Sequence, residues 1–295
     1  MAYAQGDGVE LYYEVAGPDD GVPLLLVNGL GSQMVTWPPD LVDAFTDRGF
    51  RVISFDNRDV GRSTWLREHD GKVMPMIADA FRGKPVDAPY RLADLACDAV
   101  AVLDAVGVDQ AHLFGTSMGG MIVQQMAIDH PERVASLTSA ISTTGDPDVG
   151  QPHDGMVKVL YERAPEEREA NIAHQVEVSR QIGSPSDFDE AWARRKAELQ
   201  FDRGLNPEGV GRQLLAVGVS PSRTEALGRV AVPALVIHGD VDPLVDVSGG
   251  RRTAEAIPGA ELLEVNGMGH DLPPSQWAPI IDAVTRLAAR VADPS

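Results

Sequence analysis

The stretch His112-Leu-Phe-Gly115-Thr-Ser117-Met-Gly119-Gly-Met-Ile-Val-Gln124 decides how the chain reads. Ala111 to Phe114 is a short apolar run of the kind found in a strand buried on both faces. From Met118 to Asp129 the pattern is helical, and His130-Pro131 stops it. Between the two stands a Gly-x-Ser-x-Gly turn, the strand–turn–helix setting that a nucleophile elbow requires. Glycines on both sides of the serine let strand and helix approach closely. Such a turn lifts the Ser117 hydroxyl above a sheet. It also aims the Met118 N–H, at a helix N-terminus, to where an oxyanion would form. The plain alternative is a glycine-rich turn without chemistry, and the rest of the chain argues against it.

Outward from this point, strands and helices alternate. Val9 to Val15 alternates loosely and predicts an antiparallel edge strand. Leu24 to Val27 is a second buried strand, followed by a loop over 28–36 and a helix over 38–47. Arg51 to Phe55 is a strand that runs into the turn-rich segment Asp56-Asn-Arg-Asp-Val-Gly-Arg-Ser63. Residues 65–90 are irregular, with one short helix near 76–81. Leu92 to Val106 has helical apolar spacing, with Gly107 as its stop. Val134 to Ile141 is strand-like. This alternation implies right-handed parallel crossovers and an α/β fold with a mostly parallel, doubly wound sheet.

The pattern then breaks. Residues 146–226 hold no good strand and predict helices near 168–182, 188–199 and 207–217, the last with Asn206 as N-cap and Pro207 at its first position. Alternation resumes with a strand over 234–238, a helix over 248–257, a strand over 261–265 and a helix from Trp277. The expected organisation is a core in two parts, 1–145 and 227–295, interrupted after the sixth strand by a helical cap over 146–226.

Composition narrows the function. With 295 residues and 43% hydrophobic content, the chain buries a large core. Its net charge of −19, from 25 Lys+Arg against 44 Asp+Glu, argues against nucleic acid and anionic membranes. The uncharged stretch from Gly21 to Pro39 holds too many turn residues for a membrane span, and no targeting segment is visible at the start. The single cysteine, Cys97, excludes an internal disulfide and fits a reducing, cytoplasmic setting. No Cys and His spacing points to a metal. The oligomeric state stays open.

A serine needs a base to take its proton, and the base needs an orienting acid. Of seven histidines, His270 stands out, in the glycine-bracketed loop Asn266-Gly-Met-Gly-His270-Asp between the last strand and the last helix. That placement returns it to the sheet edge that carries Ser117. His112 and His238 read as packed strand residues, His130 as a helix-end group, and His69, His153 and His174 as solvated. For the acid, Val236-Ile-His-Gly-Asp240-Val-Asp242-Pro243 offers Asp240 at the strand end and Asp242 before a proline, with Asp246 further along.

Five segments together resemble the α/β-hydrolase superfamily over nearly the whole chain. They are Asn28-Gly-Leu-Gly31, Asp56 to Ser63, Gly115-Thr-Ser-Met-Gly-Gly120, His238-Gly-Asp-Val-Asp-Pro243 and Gly267-Met-Gly-His270. Within the superfamily, Asn57-Arg-Asp-Val-Gly-Arg-Ser-Thr64 and Gly267-Met-Gly-His-Asp-Leu-Pro273 are similar to the aclacinomycin methylesterase group. The resemblance implies Ser117 as nucleophile, His270 as base and Asp242, not Asp240, as acid. It also implies that the Leu30 N–H joins that of Met118 in an oxyanion hole. Many relatives carry His-Gly where this chain has Asn28-Gly29. Asp56 and Arg58 are expected to hold their loop rather than to catalyse.

The expected function is hydrolysis of a carboxylic ester through a Ser-His-Asp triad and an acyl-enzyme, with no cofactor and no metal. Lactonase, cofactor-free perhydrolase and carbon–carbon bond hydrolase activities could use the same residues. A carboxylate nucleophile, which epoxide hydrolases need, is absent at Ser117. The rival of another class is a non-catalytic small-molecule binder on the same fold. The expected partner is a mid-sized apolar ester with a small alcohol; the methyl-ester detail rests on resemblance alone. Met34, Trp37 and Met268 are expected to touch it; Met118, Met74 and Met76 lie on loops expected at the site, and Met74 and Met76 read equally well as packing the cap against the core. Arg62 or Arg203 could offset the acidic surface for an anionic substrate.

Overall fold

Leu24, Leu25, Leu26 and Val27 are all fully buried, because their strand has side chains packed on both faces. Leu25 and Val27 join one apolar cluster and Leu24 and Leu26 the other, the period-two division that a central strand imposes. Each such side chain contributes about 1.5–3 kcal/mol relative to exposure. The computed structural model describes residues 2–71 and 73–292 and builds eight strands and eleven α-helices among them.

The strands are β1 (Ala2–Gln5), β2 (Glu10–Ala16), β3 (Val22–Val27), β4 (Phe50–Phe55), β5 (Ala111–Thr116), β6 (Val134–Ala140), β7 (Ala234–Gly239) and β8 (Glu261–Val265). They form one sheet in the order β1-β2-β4-β3-β5-β6-β7-β8. β1 and β2 pair antiparallel, β2 joins β4 antiparallel, and the other pairs are parallel. The helices are α1 (Pro39–Thr46), α2 (Met74–Phe81), α3 (Leu92–Val106), α4 (Met118–Asp129), α5 (Val157–Tyr161), α6 (Arg168–Ile182), α7 (Glu190–Arg203), α8 (Pro207–Val219), α9 (Thr224–Leu227), α10 (Ser248–Ala256) and α11 (Trp277–Ala292). Residues of α3 and α4 fill the cluster on one face of the sheet, and residues of α1 and α11 fill that on the other. This is the α/β-hydrolase fold. No helix among the described residues is long and apolar enough to cross a membrane.

One expectation needs correction. Val9 to Val15 does not form the sheet edge, because β1 pairs with β2 on its outer side, with Ala2 opposite Tyr13 and Gln5 opposite Glu10. β1 is only four residues long and carries no usable alternation, so its existence depends on its partner.

Five helices, α5 to α9, lie between β6 and β7. Asn206 caps α8 by accepting from the Gly209 N–H at 3.1 Å, as its position before Pro207 suggests. α6 packs on α7, and α8 packs on α2.

Buried charge ties α8 to the core. Arg212 is fully buried and forks onto Asp59, with Nε–Oδ2 at 2.8 Å and Nη2–Oδ1 at 2.7 Å. The Tyr90 hydroxyl donates to the same carboxylate at 2.8 Å. Two residues earlier in the chain than Val60, Arg58 forks in the same way onto buried Asp98, at 2.6 and 2.7 Å. Asp56 accepts from the Met34 and Arg62 N–H groups at 2.7 and 2.9 Å and from Arg203 at 2.5 Å. Asp56 and Arg58 therefore brace this loop, as the sequence suggested. Arg203 is committed to that brace. The Arg62 guanidinium sits over the Tyr12 ring and donates to its hydroxyl at 3.1 Å. Neither arginine lines the large cavity described below.

Candidate active site

Ser117 joins β5 to α4 with φ 55° and ψ −120°, a conformation that costs an L-residue roughly 1–3 kcal/mol. The turn is held on both sides: the Ser117 N–H donates to the Ala140 carbonyl at 3.0 Å, and the Ser142 hydroxyl donates to the Ser117 carbonyl at 2.7 Å. The glycines are obligatory. A Cβ on Gly115 would stand 2.2 Å from the Gly119 carbonyl oxygen, and one on Gly119 only 2.0 Å from that of Val27. The early loop presses on the same turn, since a Cβ on Gly29 would meet the Ser117 Cβ at 3.1 Å.

His270 arrives on the loop after β8. A Cβ on Gly239 would stand 1.9 Å from the Met268 carbonyl oxygen, so only glycine lets this loop lie against the end of β7. His270 Nε2 is then 3.0 Å from Ser117 Oγ, and its Nδ1 is 2.7 Å from Asp242 Oδ2. Asp242 is buried, and its Oδ1 accepts from the Leu244 and Val245 N–H groups, both at 2.9 Å. Burial by itself would raise this carboxyl. The charge of His270, hydrogen bonds from His238 and His270 and the Val245 N–H overcome burial and hold it well below the usual carboxylate range. Asp240 is exposed and accepts from the Gly267 N–H at 2.6 Å, which bridges the turn to the histidine loop. The structure thus brings Ser117, His270 and Asp242 into one hydrogen-bonded chain and leaves Asp240 outside it.

The Leu30 and Met118 N–H groups flank the Ser117 turn, and neither has a hydrogen-bond acceptor among the described residues. Asn28 is buried. Its carbonyl accepts from Asn57 Nδ2 at 3.2 Å and its Oδ1 from the Thr36 hydroxyl at 3.4 Å, so it braces the early loop.

Over the chain of three lies a cavity of about 1550 Å³, walled by Ser117, His270, Leu30, Met118 and apolar residues such as Trp37, Met121 and Leu214. Trp37 and Met118 line the cavity. Met34 and Met268 do not line the cavity. Met268 is fully buried in the apolar cluster beneath α11, and Met34 is buried where Asp56 anchors its N–H. Both loops turn these side chains away from the cavity, a direction that sequence position alone does not reveal. Met76 packs against the cluster between α2 and α8, and the Met74 side chain lies outside the described residues.

Sequence reasoning missed several groups. His238 reads as core, and it is, but its Nε2 also lies 3.4 Å from Asp242 Oδ2 while bonded to the Val245 carbonyl at 2.8 Å. His174, expected in solvent, is half-buried in the cavity wall. The segment after α6 clasps the histidine loop: the His270 N–H donates to the Ile182 carbonyl at 2.7 Å, and the Gly269 N–H donates to the Ser184 hydroxyl at 3.0 Å.

A family model described as alpha/beta hydrolase fold matches residues 22–274. The chain is 31% identical to rhodomycin D methylesterase DnrP of Streptomyces peucetius, over 94% of each chain. It is 29% identical to a 2-hydroxy-6-oxononadienedioate/2-hydroxy-6-oxononatrienedioate hydrolase of Burkholderia vietnamiensis, over 90% of this chain and 86% of the relative. Among solved structures, the enol-lactonase of Burkholderia xenovorans superposes with a TM-score of 0.75 at 22% identity, covering 98% of this chain and 100% of the other. A serine at a strained strand-to-helix turn, the sheet order around it and a matched stretch from the third strand to the last loop agree: the chain belongs to the alpha/beta hydrolase family.

Proposed function

We propose that the protein is a serine hydrolase that cleaves a carboxylic ester through an acyl-enzyme. The observation that carries this reading is the chain Asp242–His270–Ser117, with links of 2.7 and 3.0 Å, opening on the large cavity. Ser117 Oγ attacks the ester carbonyl while His270 Nε2 takes its proton. Asp242 keeps Nδ1 of His270 protonated and stabilises the imidazolium. The unpartnered Leu30 and Met118 N–H groups donate to the tetrahedral oxyanion. His270 returns the proton to the leaving alcohol. Water then attacks the acyl-enzyme with His270 as base, releasing the acid and restoring Ser117.

The finer substrate proposal is a methyl ester of a bulky, largely apolar acid. It is supported by the volume and apolar wall of the cavity and by similarity to rhodomycin D methylesterase. Residues 146–226 are proposed as the cap: α6, α7 and α8 contribute Val178, Trp192 and Leu214 to the wall and shed water from it. The core would then comprise 1–145 and 227–295.

The test is a panel of methyl esters of polycyclic aromatic acids, short and long acyl aryl esters, a lactone and a vinylogous diketone. The reading predicts turnover of the bulky methyl esters that Ser117→Ala abolishes. Preference for long acyl chains without methyl-ester turnover would overturn the substrate proposal. Cleavage of the diketone alone would favour carbon–carbon hydrolysis.

A further inference from the structure

One charge on the cavity wall, that of Lys196, has no part in ester hydrolysis and no hydrogen-bond or ion-pair partner among the described residues. α7 turns Trp192, Lys196 and Gln200 toward the cavity, the spacing of one helix face. Lys196 is half-buried and makes no hydrogen bond or ion pair among the described residues. The arginines on the wall have partners. Arg223 donates to Gln124 Oε1 at 3.0 Å and to the Thr143 carbonyl at 2.9 Å. Arg82 and Arg163 are exposed beside Asp79 and Glu166. The charge that acts on Lys196 is that of Asp271, whose carboxylate is already taken up by the Ser184 N–H and hydroxyl. Burial pushes the ammonium below its ordinary pKa while Asp271 opposes that shift. An ammonium withdrawn from water without a direct counter-ion is costly, and an anion entering the cavity would remove that cost. The carboxylates on the same wall are exposed or engaged: Glu162, Glu166 and Asp189 face solvent, Asp146 pairs with Arg252, Asp187 accepts from the Ser275 hydroxyl and Glu208 from the Gly71 N–H, so water, salt and these partners screen them more than they screen Lys196.

Resting on the esterase reading, we propose that Lys196 is a specificity-determining residue that binds a carboxylate on the acid portion of the substrate. The substrate class is then a half-ester: an aromatic acid with one esterified carboxyl, presented to Ser117, and one free carboxylate, held by Lys196 beside the Trp192 ring. Gln200 carries no charge; its Oε1 accepts from the Gln33 N–H at 3.2 Å and its carbonyl from the Gln33 side chain at 3.1 Å, which leaves its amide N–H as a neutral donor beside the Lys196 charge.

Equilibrium binding tests this without relying on turnover. In a Ser117→Ala background, the monomethyl esters of terephthalic, naphthalenedicarboxylic and biphenyldicarboxylic acid are titrated calorimetrically beside their neutral carboxamides. At least one acid is expected to bind roughly tenfold or more tighter than its amide, the value of a charge-assisted hydrogen bond. Adding Lys196→Met should erase that ratio while leaving amide affinity unchanged, and Lys196→Arg should keep it. A ratio near one for all three pairs, no measurable binding of any acid, or a ratio that survives Lys196→Met would overturn the assignment. Labelling of Ser117 by a fluorophosphonate in the unmutated protein reports the esterase reading separately. A carboxylate preference without labelling would sink that reading and leave the Lys196 site standing.

Discussion

Ser184 grips Asp271 with both its backbone and its side chain: the N–H lies 3.1 Å from each carboxylate oxygen, and the hydroxyl donates to Oδ1 at 2.6 Å. Asp271 follows His270, and Ser184 follows α6, so this clasp fixes the imidazole loop against the helices between β6 and β7. A Cβ on Gly269 would stand 2.4 Å from the Gly183 carbonyl carbon, which shows how closely the two segments press. Asp271→Ala should loosen the His270 position. We expect kcat to fall about tenfold to hundredfold with a smaller change in KM, since small misplacements of a catalytic group cost about that much. Steady-state kinetics with circular dichroism check it; an unchanged kcat in a folded variant would mean the clasp is only structural.

Asp242 and Asp240 separate cleanly by mutation. Asp242→Asn keeps the shape but favours the wrong imidazole tautomer, and kcat should drop by about 10⁴. Asp240→Asn can still accept from the Gly267 N–H and should stay within a few-fold of the parent. Comparing kcat/KM for the two variants decides which carboxylate orients His270.

The ion pairs differ in worth by their burial. Arg212→Ala leaves Asp59 charged and buried with one arm of its support gone, so unfolding free energy should fall by about 3–5 kcal/mol. Arg168→Ala removes an exposed fork onto Asp202, which water and salt screen, and should leave stability nearly unchanged. Urea denaturation of both variants tests the contrast.

Burial lowers the His112 imidazole to about 4, and its Nδ1 lies 2.7 Å from the Ser136 hydroxyl. The unfolded chain therefore binds a proton at this residue that the folded chain refuses. Stability contributed by this site falls as pH drops from about 6.5 toward 4, by roughly 1.4 kcal/mol per pH unit within that window. His112→Asn should flatten this part of the stability profile. Urea midpoints at pH 7 and pH 4.5 for both proteins provide the check.

The candidate site was legible where chain geometry depends on local residues. Gly115 and Gly119 betray the strained Ser117 turn because any side chain there collides with backbone, and Asn206-Pro207 marks a helix start by its own chemistry. The central strands were legible because burial on both faces demands unbroken apolar runs such as Leu24 to Val27. β1 was not, since four residues carry too little pattern without their partner. Met34 and Met268 failed as cavity residues because loop direction, not loop membership, aims a side chain. Arg203 pairs with Asp56, Arg212 with Asp59 and Ser184 with Asp271 across more than 80 residues of sequence each, contacts that no local pattern announces. Lys196 reads from sequence as one of several charges on a helix; only the helix packing shows it facing the cavity.

Ser117 is proposed as the nucleophile that His270 activates. Intact-mass spectrometry after incubation with a fluorophosphonate tests it most directly, with peptide mapping of the adduct. One adduct per chain is expected, on Ser117, with labelling lost in Ser117→Ala and slowed by several orders of magnitude in His270→Ala while both variants keep their fold. Labelling at another residue, or a folded Ser117→Ala that labels and turns over esters like the parent, would contradict it.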